Sequence, residues 1–468
     1  MKKLVSTILA IAMMCPLMTA CGDPKQTSTE NTATYTTEGK ENKLVPDENA
    51  TGELSISFYG TDFEKQYDRD MGDSFNAAQK KFKELYPKVT LTIDRVSYDE
   101  DRKIYSEKLA AEVMSGNGPD LFWIQREMDI SKMMNAGVFA DMHDYFEKDI
   151  SFNIKDYNEK VFFGGQPQGK QYIVPLNYAI PLLISTKTAI EKASFDVSKC
   201  NDYYSCLEQI HNLYEKNQKR TDLTEVISEF TTPLRFPAET GVEWIDFEEK
   251  TVEVNTPQMK QMMETYQAFY SLYKKPEMRS GGGAIFADRL KANSVILAEP
   301  FAGLGDVIQN CRNISTFDES VMFPLRNVNG KIEATPKECV AVGNNSKNKQ
   351  NAYNFIKIML SYENQQISLN SLPYFIPISD IAMKALLKKA MISEELDYGP
   401  DGIKKFAPLS QALIDQYTGY LAEIENVNYP NKANELLREE MMPYYEKKKS
   451  YEECIKNAQD KLEIYVSE

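Results

Sequence analysis

Apolar and polar residues alternate along two short stretches near the amino end of the chain, and apolar residues with helical spacing follow each of them. Residues 54–58 and 89–93 alternate as β-strands do, whereas residues 75–85 place their apolar side chains on one face of a helix. A second helix is predicted over about residues 104–114, and residues 119–124 are a third, short apolar stretch. Strand and helix follow each other in turn, which predicts a parallel sheet with helices on both faces.

The predicted strands also indicate where a ligand would bind. In open α/β sheets, ligands bind at the carboxyl ends of the strands. Those ends are residues 59–62 after the first strand and residues 123–127 after the third. Tyr59 and Trp123 stand at these two positions, so aromatic rings are predicted at the ligand edge of the sheet.

The amino end has the pattern of a bacterial lipoprotein signal. Lys2 and Lys3 precede an apolar run over residues 4–17, and small residues lead to Cys21. The run is shorter than the roughly 20 residues that a membrane-spanning helix needs. We expect residues 1–20 to be removed as a signal peptide and Cys21 to be lipidated, which would anchor the chain to the outer face of the cell membrane.

Residues 21–52 are rich in Thr, Glu, Asn, Lys and Ser and contain few large apolar side chains. Such a composition favours disorder, and about 30 flexible residues reach roughly 30 Å. We expect this tether to hold the folded part of the chain clear of the lipid. About 415 residues follow it, which is more than one hydrophobic core normally serves, so two lobes are predicted.

Charge excludes one class of partner. The 468-residue chain has a formal net charge of −15, and loss of the signal removes two lysines and no acidic residue, which leaves −17. A surface of this sign repels nucleic acid and anionic lipid headgroups, so no nucleic-acid partner is expected.

Cysteine and histidine are scarce and scattered. Five cysteines follow Cys21, and their spacing fits neither a complete disulfide framework nor a zinc site. For Cys200 and Cys206 two interpretations are open, a mutual disulfide or two isolated buried thiols. With two histidines in the chain, histidine-based metal or triad chemistry has almost no basis, and no metal or cofactor is predicted.

Five motifs resemble the extracellular solute-binding lipoproteins of ABC importers, and in particular their carbohydrate-binding, maltose-binding-protein-like branch. The most specific is S-G-N-G-P-D-L-F-W at residues 115–123, which resembles the Gly-rich turn through which the family's chains lead into a strand. The others are G-K-Q-Y-I-V-P at 169–175, W-I-D-F-E at 244–248, S-K-N-K at 346–349 and the last helix pattern at 450–462. In this order they cover most of the chain from residue 54 onward.

The resemblance implies an α/β, two-lobe, periplasmic-binding-protein-like fold of type II, in which each lobe is a mostly parallel sheet flanked by helices. The ligand cleft would lie between the lobes. By analogy the amino-terminal lobe takes residues 53–172 and 338–374, and the carboxyl-terminal lobe takes residues 173–337 and 375–468.

The resemblance also implies the function of a binding protein that is not an enzyme. A monomeric chain would capture a carbohydrate, in the first place an oligosaccharide, by hinge closure and deliver it intact to the permease of an ABC importer. In such sites aromatic rings lie on the C–H faces of the sugar, and carboxylates, amides and arginines bond its hydroxyls.

Family positions carried over to this sequence give an expected ligand-binding set on both lobes. The first lobe contributes Tyr59, Asp62, Trp123, Arg126 and Glu127, and the second contributes Tyr178, Glu299 and Phe301. Glu299-Pro300-Phe301 resembles the family's G-P-W turn, with glutamate in place of glycine and phenylalanine in place of tryptophan.

Structural interpretations of the same residues stay open. The alternative for Tyr59, Trp123 and Phe301 is packing in a core, although the position of Trp123 at a strand end favours stacking on a ligand. The alternatives for the polar residues are capping of backbone amides by Asp62 and a solvated surface pair for Arg126 and Glu127. Asp120 and Trp244 are interpreted as architectural, with Asp120 holding its turn through its own backbone bonds, and are left out of the set.

Other functions are also left open by the sequence. The same scaffold could serve a peptide or a polyamine. An enzyme acting on glycans would use a pair of carboxylates, but no pattern in the chain nominates such a pair. A sensor or adhesin subunit would bind a glycan without taking part in its uptake.

Overall fold

The structure is a computed structural model that describes residues 44–59, 72–96, 101–125, 127–217, 227–228, 240–247, 249–272, 289–292, 296–298, 301–367, 375–392, 394–397, 403–429 and 431–467. All of these belong to one compact unit, Lys40–Glu468. The predicted signal, Cys21 and most of the tether lie outside the described residues, so these predictions stay untested.

Seventeen strands are present among the described residues. They are β1 (Gly52–Tyr59), β2 (Val89–Val96), β3 (Leu121–Trp123), β4 (Ile173–Pro175), β5 (Asn177–Thr186), β6 (Ile227–Ser228), β7 (Ile245–Asp246), β8 (Thr251–Val252), β9 (Leu297–Ala298), β10 (Phe301–Ala302), β11 (Ser320–Pro324), β12 (Ile332–Pro336), β13 (Cys339–Val342), β14 (Ile376–Pro377), β15 (Glu394–Asp397), β16 (Ile403–Phe406) and β17 (Ile424–Val427).

The α-helices of the same residues surround these strands. They are α1 (Gly72–Leu85), α2 (Arg102–Met114), α3 (Ile130–Asn135), α4 (His143–Lys148), α5 (Glu159–Phe163), α6 (Lys187–Ala193), α7 (Tyr203–Asn217), α8 (Pro257–Leu272), α9 (Leu304–Ile314), α10 (Lys349–Leu360), α11 (Tyr362–Gln365), α12 (Asp380–Ala390), α13 (Gln411–Ala422), α14 (Lys432–Tyr445) and α15 (Tyr451–Ser467). None of the described helices is both long enough and apolar enough to span a bilayer.

The first sheet has the strand order β2-β1-β3-β13-β4. Its strands β2, β1 and β3 are parallel, with Ile56 of β1 opposite Ile93 on one side and Leu121 on the other. Strand β13 runs antiparallel between β3 and β4. The predicted succession of three strands and two helices is therefore confirmed, and α1 ends at Leu85, where its apolar spacing stops.

The second sheet is built around the ten-residue strand β5. Strands β9, β10, β11, β12 and β14 all pair with β5 in antiparallel orientation, and the pairs β12–β17 and β6–β9 are parallel. The expectation of a mostly parallel sheet in each lobe is thus wrong for the second sheet. The physical reason for the difference is that β5 is central and long. Several short strands pair with it in antiparallel orientation, whereas parallel pairing would need crossover connections.

Strand β5 also connects the two hydrophobic cores. Its residues Tyr178, Ile180, Leu182 and Ile184 belong to the core that contains the first sheet, whereas Leu183 belongs to the second core. Side chains of a strand point to opposite faces in turn, so β5 presents one face to each core.

Two neighbouring segments join the sheets, one between β4 and β5 and one between β12 and β13. The amide of Leu176 donates to the carbonyl of Glu338 at 2.8 Å, and the amide of Lys337 donates to the carbonyl of Asn177 at 3.1 Å. The side-chain Oδ1 of Asn177 accepts a further bond from the amide of Glu338 at 3.0 Å. Strand β4, residues 173–175, lies in the first sheet, just beyond the predicted lobe boundary, and the lobe limits themselves stay a prediction.

The carboxylate of Asp120 holds three distant segments together. Its Oδ2 accepts from the amide and from the hydroxyl of Ser55 in β1, both at 2.8 Å. Its Oδ1 accepts from the hydroxyl of Ser346 at 2.6 Å, and Asn348 donates to the carboxylate at 3.3 Å. The prediction that Asp120 is architectural fits these contacts, but the partners of its carboxylate are the remote residues Ser55, Ser346 and Asn348.

The turn before Asp120 needs glycine at Gly116. Gly116 has a φ of +77°, and a side chain there would collide with the amide group of Asn345. Only glycine adopts this conformation without strain, so the S-G-N-G-P-D motif brings the chain past residues 343–348 at close range.

The cysteines that follow Cys21 form no disulfide bonds. Cys200, Cys206, Cys311, Cys339 and Cys454 are all buried, and no pair among them forms a disulfide. Of the two interpretations for Cys200 and Cys206, the structure agrees with isolated buried thiols.

We predict that Asp120→Asn lowers the free energy of unfolding by about 2–4 kcal/mol, because it replaces a charged acceptor that serves several donors. Urea denaturation followed by circular dichroism measures this change. Asp144→Asn is the matched control, since Asp144 forms an exposed ion pair with Lys148 and should change the midpoint little. Equal effects of the two substitutions would contradict a central role for Asp120.

Candidate functional site

The carboxyl ends of β1 and β3 lie side by side, as parallel pairing requires. At the end of β1, the ring of Tyr59 stacks on Tyr105 of α2, with centroids 5.2 Å apart and an angle of 30° between the rings. The hydroxyl of Tyr105 shares a 2.7 Å hydrogen bond with Ser57, and burial raises the pKa of Tyr105 to about 12. Tyr59 is half-buried and fixed by this stack, so it is a preformed aromatic surface at the predicted ligand edge.

Trp123 lies in the core beneath this edge. Its side chain is 1% exposed, and its ring meets Phe58 and Phe75 edge-on with centroids 4.9 and 5.2 Å away. Its indole Nε1 is buried and has no hydrogen-bond partner among the described residues. The structure therefore places Trp123 in the core arrangement that the sequence left open as an alternative to stacking, and a direct contact with ligand stays a prediction.

Arg95 is a residue at this edge that the sequence analysis missed. Its guanidinium lies over the rings of Phe58 and Phe75, 5.2 and 5.4 Å from their centroids. A signal for it was present, because Arg95 continues the alternating face of β2 that includes Leu91 and Ile93. A cation that follows two apolar positions on the same face of a strand indicates an edge where the core meets a polar site.

Glu127 is held by helix α2. Its Oε1 accepts from Nε of Arg102 at 3.1 Å and from Nη2 at 3.0 Å, and its Oε2 accepts from the hydroxyl of Ser106 at 3.4 Å. The Glu127 side chain is 18% exposed. It pairs with Arg102 across the loop, so its carboxylate is oriented and still reaches solvent.

Tyr178 lies at the start of β5 and is fully buried. Its hydroxyl accepts a 3.2 Å hydrogen bond from the amide of Asn158, and burial raises its pKa. Tyr178 thus packs inside the first core, close to the segments that join the sheets. Phe301 begins β10 and pairs with Pro181 of β5. Its backbone therefore lies beside the strand that contains Tyr178.

The remaining expected site residues are not described. Asp62, Arg126 and Glu299 lie outside the described residues, as does the side chain of Phe301. The structure therefore brings Tyr59, Trp123 and Glu127 together at one edge of the first sheet and sets Tyr178 and Phe301 on the second sheet.

Asp380 is a second residue that the sequence analysis did not select. It begins α12, directly after Ser379, whose hydroxyl oxygen caps the helix by accepting from the amide of Ala382. Burial raises the pKa of Asp380, and Lys384 offsets part of that rise. Asp380 lies near Tyr178, and the neighbouring Ile378 is bonded to Leu176 in a joining segment, so this carboxyl group stands close to the point where the sheets are connected.

A polar cavity of about 410 Å³ lies at the other end of β3. Its walls come from the S-G-N-G-P-D turn, residues 136–138 and the S-K-N-K segment. The cavity surrounds the amino end of β3, so it is separate from the edge that carries Tyr59 and Trp123. Within the described part of the chain, no cluster of histidine, cysteine, aspartate and glutamate is placed to hold a metal ion.

This arrangement offers aromatic surfaces and oriented polar groups but no described nucleophile with an activating base. Such a combination binds a neutral polar molecule by stacking and hydrogen bonding.

A family model, described as bacterial extracellular solute-binding protein, matches residues 77–394, which is more than half of the chain. The chain belongs to the bacterial extracellular solute-binding protein family.

Solved structures agree with this family fold. The sugar-binding protein MalE from Xanthomonas citri is 13% identical, with a TM-score of 0.61 over 89% of this chain and 97% of that one. An ABC substrate-binding protein from Listeria monocytogenes in complex with cycloalternan is 15% identical, with a TM-score of 0.58 over 89% of this chain and 100% of that one.

The cyclic alpha-maltosyl-1,6-maltose binding protein from Arthrobacter globiformis is similar to the same extent, with 13% identity and a TM-score of 0.58 over 89% of this chain and 99% of its own. At identities this low, the structural similarity establishes the fold of the solute-binding protein but does not identify its ligand. None of the curated proteins compared with the chain matches it. Family membership places the solute-binding protein outside the cytoplasm.

For this solute-binding protein, we predict that Trp123→Ala lowers the free energy of unfolding by about 3–5 kcal/mol, as the loss of a large buried aromatic does. Trp123→Phe, which keeps an aromatic ring between Phe58 and Phe75, should cost less. Guanidinium denaturation of the three proteins measures both changes. A loss below about 1 kcal/mol for the alanine variant would show that the ring contributes little to the core.

Proposed function

We propose that this chain is the lipid-anchored solute-binding subunit of an ABC importer and that its ligand is a carbohydrate, in the first place an oligosaccharide. The observation that carries the proposal is the family match over residues 77–394. It is supported by neighbours of the same fold, over about nine-tenths of this chain, that are a sugar-binding protein, a cycloalternan complex and a maltosyl-maltose binding protein.

The proposed mechanism is closure around the ligand without a covalent step. The two joining segments between the sheets are short and bonded to each other, so small changes of their dihedral angles would rotate one sheet relative to the other. A ligand that binds both sheets stabilises the closed state in proportion to its preference for that state. Because no bond of the ligand is made or broken, the cargo would leave intact for the permease.

We assign the sugar contacts to both sides of the cleft. Tyr59 and Phe301 would stack on C–H faces of the sugar, while Trp123 and Tyr178 would support them from the cores. The hydroxyl groups of the sugar would be bound by Asp62, Arg126, Glu127 and Glu299. Neutral hydroxyls suit such a mixed set, because carboxylates accept from them and arginine donates to them.

We further infer that the protein acts as a monomer at the outer face of the membrane. Cys21 would carry the lipid, and the tether before β1 would give the folded part its reach. The acidic surface would keep the protein off anionic lipid headgroups while the anchor holds it near the permease.

We predict that the purified protein binds one or more oligosaccharides and that saturating ligand raises its melting temperature by mass action. A thermal-shift screen of glycans, short peptides and polyamines would identify the ligand, with calorimetry to confirm it and chromatography to test for cleavage. Retention of an intact glycan supports the proposal. Binding of peptides or polyamines alone, or release of cleaved glycan, would contradict it.

With the identified glycan, Phe301→Ala should weaken binding about three- to tenfold, in line with the loss of one aromatic contact. Phe301→Trp restores the aromatic residue of the family's G-P-W turn and should keep or improve the affinity, so it is the matched control. Equal affinities of the wild type and Phe301→Ala would remove Phe301 from the site.

We predict that Cys21→Ser releases the protein from the membrane, because serine offers no thiol for lipid attachment. Fractionation of cells followed by immunoblotting compares the variant with the wild type. A matched Cys15→Ser variant changes a cysteine within the predicted signal and should stay in the membrane fraction. Membrane retention of Cys21→Ser would argue against the lipid anchor.

A further inference from the structure

Helix α3, which follows the ligand edge of the first sheet, makes a direct polar contact with the last helix, α15. The hydroxyl of Tyr465 donates to Oδ1 of Asp129 at 2.7 Å. The ammonium of Lys132 lies 4.9 Å from the centroid of the Tyr465 ring. Tyr465 is 8% exposed, whereas Asp129 and Lys132 are half-buried, so both contacts lie partly open to water.

The β7–β8 hairpin takes part in the same contact. Nδ2 of Asn135, at the end of α3, donates to the carbonyl of Phe247 at 3.4 Å. The ring of Phe247 meets Tyr465 edge-on at a centroid distance of 6.3 Å. The residues Asp129, Lys132, Asn135, Phe247 and Tyr465 are called the clasp below.

The two sides of the clasp belong to different sheets. On one side, the chain that follows α3 is bonded to the first sheet, where the amide of Ala140 donates to the carbonyl of Val342 in β13 at 2.8 Å. On the other side, Ile455 and Leu462 anchor α15 in the second core, which also contains Leu183 of β5 in the second sheet. The clasp therefore connects the two sheets at a place other than the joining segments.

The second side of the clasp is rigid. Gln459 of α15 accepts from the amide of Val254 at 3.1 Å and donates to the carbonyl of Val252 at 2.8 Å, which fixes the helix to the hairpin. The first side is also held in place, because Asp129 caps α3 by accepting from the amide of Lys132 at 3.2 Å. Each side is thus fixed to its own sheet.

The chemistry of the clasp suits a contact that forms and separates. A hydrogen bond to a carboxylate and a cation–π contact each make a modest net contribution to the free energy of the closed contact, because water takes the place of both partners when the contact opens. An apolar seam of similar size would resist opening, because its surface would be exposed to water. Burial, together with the bond to Asp129 and its charge, raises the pKa of Tyr465, so the hydroxyl stays protonated and keeps donating.

We propose that the clasp is a reversible latch that holds the two sheets together in the closed state and so sets how readily the ligand-free protein closes. This inference rests on the proposed function, because it assumes that the two sheets open and close. The latch acts through the equilibrium between the states, and a weaker latch lowers the apparent affinity for any ligand of the closed state. It also gives a role to the W-I-D-F-E hairpin and to the last helix, which the ligand site does not use.

The test is a distance measurement in the full chain without ligand. Fluorophores are attached through azide-bearing amino acids at the exposed positions Lys148 and Lys216, one on each side of the clasp, and single-molecule energy transfer reports the populations. Tyr465→Phe removes the hydroxyl and keeps the ring. Asp129→Asn keeps a residue that caps helices well and removes the charge.

We expect both variants to shift the population toward longer distances by about three- to tenfold in the open-to-closed ratio. Tyr451→Phe is the matched control, because this tyrosine lies on the same helix and its hydroxyl has no partner among the described residues. It should leave the populations unchanged. A double variant, Asp129→Asn with Tyr465→Phe, should shift the ratio no further than Tyr465→Phe alone, since Tyr465→Phe already removes the bond that Asp129→Asn weakens.

Two other results would overturn the latch. If Tyr465→Phe lowers the melting temperature but shows the same distance populations as the wild type, the contact is structural only, and the proposed function is unaffected. If the wild type shows a single distance that no glycan in the screen alters although a glycan binds, neither hinge closure nor the latch is correct.

Discussion

The position of the ligand edge depends on the carboxylate of Asp120. This one side chain accepts hydrogen bonds from β1 and from the segment that leads into α10, and its own backbone begins β3. It therefore fixes the start of β3 against its neighbours. Because β1 and β3 are parallel, fixing their amino ends also sets where Tyr59 and Trp123 stand at the carboxyl ends.

The second constraint is the continuity of packing through β5. One face of this strand belongs to the core of the first sheet, and the other face belongs to the second core. The joining segments, bonded through Asn177, lie at its amino end. The closure proposed for this protein would therefore take place by dihedral changes at these segments.

The sequence predicted the parts of the fold that follow from local periodicity. The alternation in β1 and β2 and the helical face of α1 were correct because one side of each element is buried. The antiparallel second sheet was missed because its strands beside β5 are short, some only two residues long, and such strands leave no periodic signal. The partners of Asp120 were missed for a related reason, since Ser55 and Ser346 are remote in the chain.

The candidate site was harder to predict than the fold. Tyr59 and Glu127 were predicted at or just after strand ends and lie there in the structure, because strand ends can be located from the pattern, whereas their contact with a ligand stays a prediction. The sequence could not decide whether Trp123 and Tyr178 are buried. Trp123 lies in a three-residue strand and Tyr178 in a strand that is buried on both faces, so neither strand shows the alternation of polar and apolar residues that would separate a ligand-facing side chain from a core side chain. Arg95 had a readable signal, a cation on an otherwise apolar face.

The buried thiols have a consequence for biogenesis. Outside the cytoplasm thiols meet oxidants, but the five thiols that follow Cys21 are buried in the folded chain, and burial raises the pKa of Cys311 to about 12. No oxidative step has to be completed before the described part of the chain reaches its native arrangement. Maturation therefore needs no disulfide-forming catalyst there, and the vulnerable period is the interval between export and collapse, when all five sulfurs are exposed.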